Sequence, residues 1–413
     1  EVMAQVAAFP KAILIVLVAL LGIGLLPGMP LFPVLVIAAL MGAAAFLLIR
    51  SAKQDDVSTA EQDDTASAES RIEDLLVIDP IDVRVGQNLI QLINAEDSGL
   101  ADRITAFRKQ FALDAGLVLP GVKIRDDKKL PPHAYQISVF GVVSGDAELL
   151  PDRMLAIHPR GGKGGLDGIE TRDPTYGLPA LWIDDGQKVA ARTAGFTLVD
   201  PMTVFVTHLT EVLRRNASNL LTRAAAGALI DRVRERNAGL VEELIPGVLS
   251  VVEVQKVLQN LLVEKVSIRN LEAVLEVLAD HGRATKSADA LTEAVRQRLG
   301  PAICQSLAGS KGELPVLTFD PATEQRIAGS LQGAEDGTRL LLEPKFAEAV
   351  MGRLAGQVEQ MMKANVSPVL LCAPELRRHV RRITERVLPH LAVLSMAEVP
   401  SSCNLKSYAV VKA

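Results

Sequence analysis

The arrangement of apolar positions divides the chain into an apolar start, a polar segment and a long mixed region. Two apolar runs, residues 6–26 and 31–49, contain a single charged residue, Lys11. At about 1.5 Å per residue, each run would cross the roughly 30 Å hydrocarbon core of a bilayer. The uncharged connector at residues 27–30, Pro-Gly-Met-Pro, is too short for anything but a tight reversal. The pattern therefore predicts a transmembrane helical hairpin.

Basic residues indicate the orientation of this hairpin. Lys11, Arg50 and Lys53 lie near its two outer ends, and the positive-inside rule places that side in the cytoplasm. A signal peptide and a buried soluble hairpin are the alternatives. Both are disfavoured, because the two runs are paired and lack a small-residue cleavage site.

The polar segment that follows is acidic. Residues 51–70 are mainly Ser, Ala, Thr, Asp and Gln, and six carboxylates against Lys53 give this stretch a net charge of −5. Such a composition buries too little apolar surface to fold by itself. It predicts a flexible linker over residues 51–74, and composition alone favours a solvated spacer.

Strand-like and helix-like periods alternate from residue 71 onward. Over the last hundred residues this alternation predicts crossover connections and a covered, largely parallel sheet. The predicted strands are residues 75–85, 122–125, 134–143, 180–183, 197–199, 314–319, 369–372 and 392–395.

Capping residues mark the ends of the predicted helices. Asp200-Pro201 predicts a helix start, and Ser250 with Glu253 fits a capping box within the mostly helical residues 218–281. Gly300-Pro301 predicts the end of a helix over residues 288–299. Further helices are predicted from residue 104 to 116, 268 to 282, 344 to 364 and 374 to 387, with another opening at residue 321.

The predicted fold class is a membrane α-hairpin followed by a multidomain α/β cytoplasmic region. The predicted divisions are the hairpin (1–50), the linker (51–74), a first α/β domain (75–151 plus 201–220), an inserted small α/β domain (152–200), a helical domain (221–300) and a C-terminal α/β domain (301–413).

Composition and charge exclude several classes of function. The 413 residues carry a net charge of −5, and outside the hairpin and the linker the chain is close to neutral. It therefore lacks the excess of positive charge that binding to nucleic-acid phosphates requires. Aromatic residues are only 3%, too few for a base-stacking platform. The three cysteines are isolated, which excludes a zinc ribbon or disulfide framework and fits a reducing compartment.

No motif for catalysis, cofactor binding or metal binding is recognisable. The glycine-rich residues 160–168 lack the adjacent Lys-Ser/Thr pair of a phosphate-binding loop. The six histidines have no ligand spacing, and we interpret each as a surface or helix-end residue. A helix–turn–helix pattern at residues 251–279 carries balanced charges. A membrane-anchored DNA-binding regulator and a membrane-tethered enzyme therefore stay open as weaker alternatives.

Several longer segments carry a resemblance to one family. They are the connector at residues 27–30 and residues 168–183, 207–214, 257–270 and 388–395. Together they resemble the FlhA family (also called FHIPEP), the large membrane component of the flagellar type III export gate. That family has further N-terminal membrane spans. Because the chain begins within apolar sequence, we interpret it as the C-terminal portion of such a protein, with any proton path in the missing spans.

The resemblance implies a non-enzymatic protein of the bacterial inner membrane with its C-terminal region in the cytoplasm. It implies a ring, typically a nonamer, that docks flagellar export chaperones with their cargo and the export ATPase complex beside other export-gate membrane proteins. Secretion is then driven by the proton motive force, without a cofactor. The virulence injectisome homologue is the alternative, and residues 171–180 and 207–214 favour the flagellar branch.

The resemblance also implies a chaperone-docking groove between the first and the inserted domains. The matching positions are Asp173, Tyr176, Thr207, Ile157 and Pro159. Tyr176 replaces the more usual Phe of the family, which predicts a slightly more polar groove. An Asp-Pro turn can present the aromatic residue that follows it outward, as an anchor for a partner helix.

Two neighbouring features have other expected roles. We expect Trp182 to be a core residue. Family linkers contact a neighbouring subunit or the ATPase stalk, but the acidic linker of this chain has few apolar anchors for such a contact.

Overall fold

The computed structural model describes residues 78–94, 99–158, 165–309, 312–332, 339–340 and 342–412. The predicted hairpin and acidic linker lie outside these described residues. Within the described ranges, no helix is both long enough and apolar enough to cross a bilayer. Residues from Asp79 onward form one compact unit.

The first sheet contains four strands in the order β2-β1-β3-β4. Strand β1 runs parallel to β2 and antiparallel to β3, which forms a hairpin with β4. The strands and the two helices near them are β1 (Ile81–Val85), α1 (Leu89–Asn94), α2 (Leu100–Ala115), β2 (Lys123–Asp126), β3 (Ala134–Val139) and β4 (Val142–Glu148).

The prediction of one strand over residues 134–143 was wrong. The chain reverses at Phe140 and Gly141, which have φ angles of 48° and 76°. Two consecutive residues at positive φ form a tight hairpin turn, and Asn-Gly or Asp-Gly is its usual sequence signal. Phe-Gly lacks that signal, so the apolar pattern continues across the turn and predicts one strand where there are two.

The inserted sheet lies between β4 and the next long helix, and its order is β6-β7-β5-β8 with every pair antiparallel. One of its faces has a small core that includes Leu181 and Phe196. The other face, with Leu155 and Trp182, joins the main core, so Trp182 is buried as predicted. Its elements are β5 (Met154–Ile157), β6 (Ile169–Arg172), β7 (Pro179–Ile183), α3 (Lys188–Thr193) and β8 (Thr197–Val199).

A series of helices follows the inserted sheet. The Asp200 carboxylate accepts a hydrogen bond from the Thr203 N–H at 2.9 Å, and the capping box of Ser250 and Glu253 is formed, so both predicted helix starts are confirmed. The helices are α4 (Pro201–Arg215), α5 (Ala217–Leu220), α6 (Arg223–Arg234), α7 (Ala238–Leu244), α8 (Val251–Val263), α9 (Leu271–His281) and α10 (Ala288–Leu307).

Helix α10 passes through Gly300-Pro301, where the sequence predicted its end. Its C-terminal part buries Ile303 and Cys304, and a side chain at Gly300 would overlap the carbonyl oxygen of Glu398. Burial against this neighbouring segment outweighs the helix-breaking tendency of the Gly-Pro pair.

The C-terminal sheet has the order β13-β12-β9-β14, and all of its pairs are parallel, as the alternation predicted. Strand β14 was not predicted, because it is mostly exposed and lacks an apolar period. A small antiparallel pair, β10 with β11, lies beside the sheet. The elements are β9 (Glu313–Phe319), α11 (Pro321–Gly329), β10 (Leu331–Gln332), β11 (Arg339–Leu340), α12 (Pro344–Lys363), β12 (Val369–Cys372), α13 (Pro374–Thr384), β13 (Ala392–Ser395) and β14 (Asn404–Val411).

One continuous apolar core joins the first sheet, the helices and the inner face of the C-terminal sheet. It runs from Tyr135 on β3 through Leu258 on α8 to Leu394 on β13. The outer face of the C-terminal sheet has a second core around Leu354 and Leu370. The domain boundaries given above stay predictions.

Candidate functional site

The structure places four of the five predicted site residues on the inserted sheet and on α4. Asp173 and Tyr176 lie in the connection between β6 and β7, Ile157 ends β5, and Thr207 is exposed on α4. The fifth, Pro159, lies outside the described residues.

The connection from residue 173 to 178, called the Asp173 turn below, is held by its own hydrogen bonds. The Asp173 carboxylate accepts the Tyr176 N–H at 2.7 Å, and the Asp173 carbonyl accepts the Gly177 N–H at 2.8 Å. Gly177 has a φ of 69°, a conformation that glycine adopts without strain. The turn is therefore fixed in shape, with Asp173 buried and the Tyr176 side chain 60% exposed.

Helix α4 anchors this turn. The Arg215 guanidinium donates a hydrogen bond to the Thr175 carbonyl oxygen at 3.1 Å and pairs with the Glu211 carboxylate at 3.0 Å. Thr207, Glu211 and Arg215 are spaced by four residues and so share one face of the helix. The structure thus joins the Asp173 turn to α4 through Arg215, and Thr207 lies two turns earlier on the same helix.

A buried polar pair lies behind the turn. The Tyr135 hydroxyl on β3 is 2.7 Å from Nδ1 of His208 on α4. Burial raises the pKa of Tyr135, and nearby Asp173 and Asp146 raise it further. Burial lowers the pKa of His208 and nearby Arg215 lowers it further, against the raising effects of Asp173 and Asp146. Both groups are therefore neutral near pH 7 and share one hydrogen bond, whose direction depends on the imidazole tautomer.

The interpretation of every histidine as a surface or helix-end residue was wrong for His208 and His379, which are both buried. For His208 a signal was present. It shares the helical period of the buried residues Val204, Phe205 and Val212, so the apolar face of α4 includes it.

Ile157 packs within the protein more than it offers surface to a binding partner. It is half-buried, pairs with Ala180 and Thr197 in the inserted sheet, and packs against the main core. Beside the turn, a recess of about 410 Å³ lies between β6, β7 and Phe196. Its walls include Glu170, Arg172 and Pro179. Apolar and charged groups thus lie side by side next to Tyr176.

Metal-binding clusters and thiolates are two kinds of chemical group that the described residues can be compared against. No cluster of three or more His, Cys, Asp or Glu side chains there could hold a metal ion. Burial raises the pKa of the Cys304 and Cys372 thiols to about 12, so neither is a thiolate at neutral pH. The arrangement around Tyr176 is suited to binding.

Comparison with known proteins identifies the family. The profile of the FHIPEP family matches residues 1–404. The chain belongs to the FHIPEP family. This confirms the resemblance on which the site residues were chosen.

Curated proteins named FlhA are relatives of this FHIPEP chain. The chain is 38% identical over 418 residues to the flagellar biosynthesis protein FlhA of Bacillus subtilis (strain 168), covering 100% of this chain and 62% of that protein. The FlhA proteins of Caulobacter vibrioides and Salmonella typhimurium are 36% and 34% identical, with 94% and 100% of this chain and 56% and 59% of theirs covered. The chain spans about three-fifths of the length of these relatives.

Solved structures share the fold. The Chlamydia pneumoniae CdsV protein superposes with a TM-score of 0.70 at 23% identity, covering 82% of this chain and 98% of that one. The nonameric EPEC SctV-C structure superposes with a TM-score of 0.65 at 21% identity, covering 81% and 98%. The described region is therefore an α/β domain of the type found in these proteins.

Proposed function

We propose that this protein is a component of the flagellar type III export gate. Its described region would dock export chaperones with their cargo and the export ATPase complex, beside other membrane proteins of the gate. Membership of the FHIPEP family and relatives named FlhA, which are 31–38% identical to the chain, support the proposal. The structural observation that carries it is Tyr176, an exposed aromatic ring on a turn fixed from within.

The contribution of the Asp173 turn to binding would be preorganisation. An exposed aromatic side chain that is already held in place loses little conformational freedom when a partner covers it, and such residues dominate binding energies. The Asp173 hydrogen bond, the Arg215 anchor and the neutral Tyr135–His208 pair all fix the surface around Tyr176. A partner helix with an apolar stripe suits this surface.

The site acts by binding, not by catalysis, and the proton motive force supplies the energy for export. We further propose that the protein spans the inner membrane several times, with the described region in the cytoplasm, and that nine copies form a ring. Structural neighbours described as nonameric support the ring. The FlhA relatives favour the flagellar assignment over the injectisome alternative.

The test is the affinity of the full chain, in detergent, for a flagellar chaperone–cargo complex, measured by calorimetry. Tyr176→Ala is expected to weaken binding at least tenfold, since a central aromatic anchor is worth about 2 kcal/mol or more. Asp173→Ala should also weaken it, because Tyr176 then loses the bond that positions it.

Tyr408→Ala is the matched control. Tyr408 is an exposed tyrosine on β14, far from the turn in the chain, and its loss should leave the affinity unchanged. Equal affinities for the wild type and Tyr176→Ala, with both folded, would contradict the docking site. Equal losses from both tyrosine variants would also count against it.

A further inference from the structure

A large cleft lies where the helices meet the C-terminal sheet. Its volume is about 1060 Å³, and its walls come from the α8–α9 connection, the second half of α10, helix α13 and the segment leading into β13. We call it the junction cleft. Its ionisable lining residues are Asp114, Glu264, Lys265, Arg269, Arg296, Arg381 and His390.

The one glutamate of the junction cleft is already paired. Glu264 accepts from the Arg377 guanidinium at 2.6 and 3.0 Å and lies 3.2 Å from the Arg296 guanidinium. Lys265 and Arg381, in contrast, form no ion pair within the described part of the chain. Arg296 also pairs with the buried Glu398 carboxylate at 2.6 Å, so among the described residues the unpaired cations of the lining are Lys265, Arg269 and Arg381.

Two buried hydrogen-bond donors in this lining have no partner among the described residues. They are Nε of Arg296, a residue that is only 2% exposed, and Nε of Arg381. The head of Arg381 is held at the cleft wall, because it donates to the Leu391 carbonyl oxygen at 2.7 Å. Both nitrogens are shielded from solvent, so an anion in the cleft would meet the remainder of the Arg381 guanidinium, whose charge the unpaired Nε leaves undiminished.

The pKa shifts of three basic lining residues also favour a bound anion. Burial lowers the pKa of Lys265, and Arg214, Arg215 and Arg381 lower it further, against the raising effect of Glu211. Burial also lowers the pKa values of Arg381 and His390. All three basic groups are therefore less stable in their charged forms than in water, and a bound anion would reverse this.

We propose that the junction cleft binds an oxyanion, the phosphate group of a small solute, through the Lys265 ammonium and the Arg381 guanidinium. Charge-assisted hydrogen bonds from both cation types suit phosphate oxygens. The volume accommodates inorganic phosphate or a nucleotide. The proposal is independent of chaperone docking, since the Asp173 turn contributes none of the lining residues.

Calorimetric titration of the full chain in detergent, at low salt, tests this with two probes, inorganic phosphate and ATP. Saturable binding is expected for at least one probe, and Arg381→Gln or Lys265→Asn should weaken it at least tenfold. Similar affinities for both probes would show that inorganic phosphate alone makes the contacts needed for binding. Tighter binding of ATP would identify a nucleotide phosphate.

Arg386→Gln is the control, because it removes the same charge from an exposed residue outside the junction cleft. Its affinities should match the wild type. If Arg381→Gln fails to fold, Lys265→Asn still tests the proposal. Residue 265 has a φ of 59°, which asparagine tolerates, so this variant is expected to fold. Absence of saturable binding at millimolar phosphate and ATP would overturn the proposal, as would equal weakening by Arg386→Gln.

Discussion

The hydroxyl of Tyr135 and Nδ1 of His208 lie 2.7 Å apart, between a strand of the first sheet and the helix that anchors the Asp173 turn. Both side chains are buried. Asp173 is near enough to influence the pKa of each of them. The charge of the buried Asp173 carboxylate, which holds the turn, therefore acts on both members of the pair.

Tyr135→Phe should destabilise the fold by about 1–2 kcal/mol, because Nδ1 of His208 is left buried without a partner. The phenylalanine ring keeps the edge-on contact with Phe205, whose centroid is 5.0 Å away, so packing is preserved. Urea denaturation measures the change. Tyr408→Phe, at an exposed tyrosine, should leave the unfolding free energy as it is. An unchanged midpoint for Tyr135→Phe would show that the hydrogen bond contributes nothing.

Stability should fall as the pH is lowered through the histidine range. The pKa of His208 is below its ordinary value in the folded state, so the unfolded chain binds the proton more readily. The stability that this group contributes is present above about pH 6.5 and is lost progressively at lower pH. Buried His379 acts in the same direction.

His208→Gln isolates this effect in urea denaturation series between about pH 7.5 and pH 5. The wild type should lose more stability across this interval than the variant does. Parallel curves for the two proteins would rule out His208 as a source of the pH dependence.

Arg377→Met should cost about 3 kcal/mol of unfolding free energy at neutral pH, since it leaves the half-buried Glu293 carboxylate without its partner and Glu264 with Arg296 alone. Arg377 is 1% exposed and pairs with Glu264 and Glu293 across the contact between the helices and α13. Burial raises the pKa of Glu293 even with the arginine present. The loss should therefore be smaller at acidic pH, because protonation of Glu293 then removes the unpaired charge.

Arg382→Met provides the comparison on the same helix. Its ion pair with Asp289 is exposed and 3.4 Å long, so the change should be about 0.5 kcal/mol or less. If the two arginine variants lost equal stability, burial of the Arg377 pairs would have no special weight.

Gly300→Ala should destabilise the protein by about 1–3 kcal/mol, because the added methyl group meets the Glu398 backbone. Gly356→Ala, within α12 and facing open space, should instead stabilise it by about 0.5–1 kcal/mol. Thermal unfolding of both variants measures the contrast. The same sign for both would indicate that the close approach at Gly300 relaxes freely.

Local sequence patterns predicted several strands and helix starts correctly. The strands at residues 197–199, 369–372 and 392–395 and the helix starts at Asp200 and Ser250 match the structure. The turn at Phe140 and the passage of α10 through Gly300 could not be predicted in this way. Contacts with distant segments outweigh the local preference at Gly300, and an unusual turn sequence hides the hairpin.

For the candidate site, the family resemblance predicted which residues belong to it. Only the fold shows which side chains contact one another. Nothing in the local sequence places the Arg215 guanidinium on the carbonyl of Thr175, forty residues earlier. Arg377 and Glu264 are 113 residues apart and meet only because α13 packs across the end of α8. Side-chain partnerships of this kind are properties of the tertiary structure, so residue type and spacing do not reveal them.

The uninterrupted course of α10 has a mechanical consequence. The helix is twenty residues, about 30 Å, long, and it holds Ile303 and Cys304 in the same element as Leu291 and Val295 despite the backbone hydrogen bond that Pro301 lacks. A displacement of the segment around Glu398, which packs on Gly300, would therefore be passed along α10 to the neighbouring helices.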